Sequence, residues 1–106
     1  MLISEDKTAL NENFSNSTGK QITIHQQDIV PCALDLLTDL VKYKTVTLVS
    51  RGQSIPTAVA VANIVTENMM KGNSKILDIV VDSEETHEKS GPSMVSIIKI
   101  TIAKTN

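Results

Sequence analysis

Two hydrophobic periods alternate along this chain, and the points where one gives way to the other mark its elements. Residues 1–19 show neither period and are rich in Ser, Asn, Thr and Glu, which predicts a flexible N-terminal tail ahead of a domain over 20–106. Gln21-Ile22-Thr23-Ile24 alternates with period two and predicts a short strand. Asp28 then stands where a helix N-cap is expected, with Pro31 in the first turn. Ala33, Leu36, Leu37, Leu40 and Val41 follow at helical spacing, with Asp35 and Asp39 on the other face. Thr45 to Val49 is rich in β-branched residues and predicts a second strand. Arg51-Gly52-Gln53-Ser54 is a turn, with Ser54 as cap and Pro56 early in the next helix.

The second helix carries Ile55, Ala58, Val59, Ala62, Val65 and Met69 on one stripe and stops before Gly72-Asn73. Lys75 to Ser83 returns to period two, as does Met94 to Ala103. Between them, Glu84 to Pro92 is polar and ends on the breaker Ser90-Gly91-Pro92, so a loop is expected there. The element order is β-α-β-α-β-β. Helical crossovers between the first three strands imply parallel pairs, and the last two strands form an antiparallel hairpin. Each helix has one apolar stripe, so the expected fold is an α/β two-layer sandwich. In it, a four-stranded mixed sheet carries both helices on one face.

Composition narrows the function. The 106 residues make one domain. Ten Lys and Arg against twelve Asp and Glu leave a net charge of -2, which excludes a strongly basic nucleic-acid clamp. Hydrophobic residues at 41% support a modest core. Phe14 and Tyr43 are the only aromatics, so that core is aliphatic and offers no platform for stacking bases. Cys32 is the single cysteine, which rules out an internal disulfide and a cysteine zinc site. The start of the chain has no basic and apolar leader, and no apolar run approaches the ~18 residues of a membrane span. The expectation is an intracellular protein without membrane contact, in the cytoplasm or nucleoid, or in a nucleus if the source is eukaryotic.

Three stretches together resemble the Alba family of small chromatin and RNA-binding proteins. They are Ile24-His25-Gln26-Gln27-Asp28 at the first strand-to-helix turn, Val49-Ser50-Arg51-Gly52-Gln53-Ser54-Ile55 at the second, and the closing Val95 to Lys104. The most specific piece is Arg51-Gly52-x-x-Ile55 followed by Ala58-Val59 and Ile64-Val65, and the resemblance runs from about Gln21 to Lys104. It implies a dimer that lays its strand-to-helix turns on a nucleic-acid backbone, DNA or RNA, while hairpin arms reach along the minor groove. Here the arm falls on Lys75 to Ala103. Archaeal members typically carry two lysines and a proline at the first turn, where this chain has Gln26, Gln27 and Asp28. At the second turn only Arg51 remains basic, and the arm holds Asp82, Glu84, Glu85 and Glu88 against Lys89. Each lost phosphate contact removes about 0.9 from the log–log salt slope on duplex DNA.

The candidate contacts are therefore Gln26, Gln27, Arg51, Gln53 and Lys89. Gln26 and Gln27 precede a helix N-terminus, where backbone amides favour an anion, although exposed loop glutamines need no ligand. Arg51 is the only arginine and can grip a phosphate in bidentate fashion or pair with a nearby carboxylate. Lys42 and Lys44 flank Tyr43 as last-turn cations that satisfy the helix dipole. Met69 falls where family members make contacts between dimers, and it equally suits the core. His25 and His87 lack companion ligands, so no metal is expected and no cofactor. No nucleophile, base and orienting group can be assembled, so an enzyme is not expected. The expected function is non-catalytic nucleic-acid binding as a dimer. Its rival is an interaction subunit that pairs with a more basic relative or joins a ribonucleoprotein.

Overall fold

A computed structural model describes residues 19–105. The elements are β1 (Gly19–Ile24), α1 (Ile29–Tyr43), β2 (Thr45–Arg51), a 3-10 turn over Gly52–Ser54 and α2 (Ile55–Ile64). A π turn over Val65–Met69 continues α2, and β3 (Ser74–Glu88) and β4 (Gly91–Lys104) follow. The sheet order is β1-β2-β4-β3. β1 and β2 are parallel, while β4 runs antiparallel to both of its neighbours. Only one of the expected parallel pairs exists, because β4 inserts between β2 and β3. Gly19, expected in the tail, is the first residue of β1; the rest of that tail lies outside the described residues.

Both helices lie on one face and cover β1, β2 and β4. The core between the layers is aliphatic: Leu36 and Leu40 from α1, Val46 and Leu48 from β2, Val61 from α2 and Ile102 from β4 are wholly buried. Burying such a side chain contributes about 1.5–3 kcal/mol. Asp28 does occupy the N-cap position of α1 and Ser54 that of α2, but neither side chain makes a capping hydrogen bond. α1 ends on Lys44, whose left-handed backbone lets its own N–H bond the Leu40 carbonyl at 2.9 Å.

The helical stripes shift at three residues. Val41, expected inward, is 60% exposed, and Cys32 takes a buried place instead. Val59 is exposed while Val61 is buried. Met69 is also exposed, because the end of α2 widens: the Met70 N–H reaches the Val65 carbonyl at 2.7 Å, five residues back. That wide turn carries Met70 inward in place of Met69, which an unbroken 3.6-residue period would have buried.

The largest correction is the expected loop at residues 84–92. β3 runs unbroken to Glu88 and β4 starts at Gly91, so only Lys89-Ser90 connect them. Cross-strand pairing from Glu84↔Val95 to Glu88↔Gly91 satisfies the backbone and overrides the poor strand preference of the glutamates. Gly91 holds φ +115, which closes this tight hairpin and which a side chain rarely tolerates. Near its base a bulge at Leu77 shifts the register, so Ile76 faces Ile102 and Ile79 faces Ile100 on the same side of the sheet.

Leu36→Ala is expected to lower the unfolding free energy by about 2–5 kcal/mol. Val41→Ala should change it by no more than about 0.5 kcal/mol. Urea titrations followed by circular dichroism separate the two, and equal losses would contradict this burial pattern.

Candidate nucleic-acid interface

Parallel pairing of β1 with β2 brings both strand-to-helix turns to one end of the sheet. Ile24 lies opposite Ser50, so the turn carrying Gln26 and Gln27 sits beside the turn carrying Arg51 and Gln53. The wholly buried Ser50 ties the two together, since its hydroxyl donates to the Ile24 carbonyl at 3.0 Å. Gln27 folds back on its own turn, and its Oε1 accepts from the His25 backbone N–H at 2.9 Å. Gly52 follows with φ +56, the left-handed conformation that lets β2 break directly into the 3-10 turn. Gln26, Arg51 and Gln53 are all exposed.

The arm starts where β2 stops. The β2–β4 ladder ends at Arg51↔Ile97, and from Ser83↔Ser96 to Glu88↔Gly91 the last two strands pair only with each other. At about 3.4 Å per residue this double strand projects roughly 20 Å past the turns. Arg51 lies opposite Ile97, which lies opposite Asp82, so these residues share the helix-free face. Glu84 sits two positions farther along that face, and its carboxylate forms an ion pair with the Arg51 guanidinium. Both partners are about half exposed, which keeps the contribution of this pair to stability small. Of the two alternatives weighed for Arg51, pairing with a carboxylate is thus realised within the chain.

The remaining candidates are dispersed. Lys89 is at the tip of the arm, well beyond the turns. Met69 lies at the far end of α2, about 20 Å along the helix axis from Ile55 at ~1.5 Å per residue. The sequence pattern did not reveal the Glu84 partnership, because thirty-odd residues separate it from Arg51 and only the strand register brings them together.

The same geometry narrows the chemistry. A cleft of about 400 Å³ opens between β1, the outermost strand among the described residues, and α1, bordered by Lys20, Thr23, Gln27, Asp35 and Asp39. Lys20 and Asp39 pair across it at 3.3 Å. Cys32 faces this cleft, and burial, with Asp35 nearby, pushes its thiol above the ordinary value, so the nucleophilic thiolate is disfavoured. Among the described residues no three His, Cys, Asp or Glu side chains gather at metal-binding distance. Nor is any described helix long and apolar enough to cross a membrane.

A family model described as Alba matches residues 18–83, well over half of the chain. Among solved structures, Alba from Thermoplasma volcanium matches with a TM-score of 0.70 and 26% sequence identity, covering 79% of this chain and 99% of that one. Among curated protein sequences none matches. The four-stranded mixed sheet, its two helices and the matched residues agree: the chain belongs to the Alba family, whose members generally bind nucleic acids, form dimers and are known as non-enzymatic.

Proposed function

We propose that this protein is a non-catalytic, dimeric nucleic-acid-binding protein whose grip on the phosphate backbone is held in check by its own arm. The observation that carries this reading is the Arg51–Glu84 ion pair at the side-by-side turns. An exposed guanidinium there can form two parallel hydrogen bonds to a phosphate, but it must first leave the Glu84 carboxylate. Gln26, Gln27 and Gln53 supply uncharged hydrogen bonds on the same side, and Lys89 adds a single cation at the tip. Asp82, Glu84, Glu85 and Glu88 line the arm, so a phosphate chain approaching it meets mainly like charge.

Dimerisation is supported by apolar surface that the helices leave uncovered. On the helix-bearing side of the hairpin, Ile79 is 52%, Val81 73% and Met94 64% exposed. Val59 on α2 is exposed as well. Exposed apolar side chains gathered on one side of a small domain are a usual mark of a protein interface. Met69, exposed at the far end of α2, is the proposed contact between dimers. The acidic arm favours a second reading, in which the partner is a more basic relative whose charge this chain offsets.

Arg51→Ala is expected to weaken binding to duplex DNA and to structured RNA at ~50 mM salt, with a salt slope shallower by no more than about 0.9 on DNA. Glu84→Gln should strengthen binding in the same anisotropy assay. Absence of any wild-type binding to either ligand sinks the reading. Val81→Glu should reduce the mass seen by light scattering from dimer to monomer; an unchanged mass places the interface elsewhere. Mixed with a basic Alba protein, this chain should remain largely homodimeric, and preferential mixed dimers would favour the second reading.

A further inference from the structure

The net charge of -2 conceals a separation of charge along the sheet. At the end opposite the arm, a lysine stands at or next to the terminus of every strand. Lys20 is second in β1, Lys44 immediately precedes β2, Lys104 is last in β4 and Lys75 is second in β3. The register places them in a row. Thr45 and Lys75 both lie opposite Ala103, Lys104 lies opposite Ser74, and the Lys104 N–H donates to the Lys44 carbonyl at 2.8 Å. Lys42, in the last turn of α1, adds a fifth cation. Its ammonium and that of Lys20 each lie 5.3 Å from the centre of the Tyr43 ring, a cation–π arrangement that steadies both.

The end of α1 accounts for Lys42 alone, the basic residue of its last turn, and not for the rest of this concentration. The Leu40 carbonyl near the end of α1 is already bonded by the Lys44 backbone N–H, so the Lys44 side chain is not needed there. Asp39 offsets Lys20 alone, and Lys42, Lys44 and Lys75 make no ion pair among the described residues. From β2 to β3 the backbone positions of Lys44, Lys104 and Lys75 cross two strand intervals, about 10 Å, with Lys75 and Lys104 leaving opposite faces, so the row lines the end of the sheet rather than a pocket. A line of separate ammoniums suits a line of separate anionic charges; at ~3.4 Å per nucleotide that span matches about three phosphates.

The geometry points to a second phosphate-backbone contact at this lysine-rich end, made by Lys42, Lys44 and Lys75 with Lys104 alongside, opposite the turns that carry Gln26 and Arg51. It rests on the nucleic-acid reading above and moves most of the charge contacts to the other end of the sheet. The Arg51–Glu84 end then supplies hydrogen bonds and a single guanidinium, while the lysine end supplies the salt-dependent part of the affinity.

The test compares the wild type with a triple variant carrying Lys42→Gln, Lys44→Asn and Lys75→Gln. Asparagine is chosen at position 44 because the backbone there is left-handed, with φ 70. Binding of a short duplex DNA and of an RNA hairpin is measured across a salt series, with thermal melting as the control for folding. The duplex salt slope of the triple variant is expected to be shallower by about 2.7, against at most about 0.9 for Arg51→Ala. If the triple variant keeps the wild-type slope while Arg51→Ala still weakens binding, the lysine contact is overturned and the nucleic-acid reading stands. If the wild type binds neither ligand, both fall. An unchanged slope with a low-salt rise in wild-type mass that the variant lacks also overturns it, and assigns the row to the acidic arm of a second copy.

Discussion

The architecture depends on the placement of β4 between β2 and β3. β4 is hydrogen-bonded to β2 from Ala103 back to Ile97 and to β3 along its whole length. Because it is longer than β2, its unmatched portion has only β3 to pair with, and the surplus becomes the arm. The same register sets where the ladder begins at the other end, and so lines up Lys44, Lys104 and Lys75. Arm, Arg51–Glu84 contact and lysine row are three consequences of one strand alignment.

That alignment also explains how an acidic chain can sit in a nucleic-acid-binding family. Cations and carboxylates are present in nearly equal number, but among the described residues the register sets Lys20, Lys44, Lys75 and Lys104 at one end of the sheet and Asp82, Glu84, Glu85 and Glu88 along the arm at the other. A phosphate chain responds to the local field within about a Debye length, ~10 Å at 0.1 M salt, and not to the net charge of the molecule. At the turns that resemble the family's contact surface, the one guanidinium is matched by a carboxylate from the arm. The proposed balance of hydrogen bonding at one end and charge at the other follows from that division.

Much of the fold was legible in the sequence because it rests on local periodicity. Element order, the parallel start and the closing hairpin all follow from where the period changes, and the Arg51-Gly52 turn follows from a glycine, which adopts its φ of +56 at no steric cost. The errors cluster where long-range pairing overrides local preference. Glu84, Glu85 and Glu88 are poor strand formers held in strand by partners on β4. Met69 and Met70 exchange roles because a π turn, which no residue pattern announces, rotates the end of α2 by part of a turn.

Of the candidate residues, the sequence placed Gln26, Gln27, Arg51 and Gln53 at turns, and β1–β2 pairing brought those turns together. It favoured a phosphate contact for Arg51 over a carboxylate partner, because that partner is a residue on another strand that no neighbour along the chain announces. By itself the sequence determined the family, the two-layer class and the scarcity of basic residues at the turns, all of which are carried by neighbours along the chain. Only the tertiary structure decided that Glu84 meets Arg51, that the arm is a paired ribbon, and that lysines at 20, 44, 75 and 104 form one edge. The reason is physical: strand register joins residues far apart in sequence, and no local period encodes it.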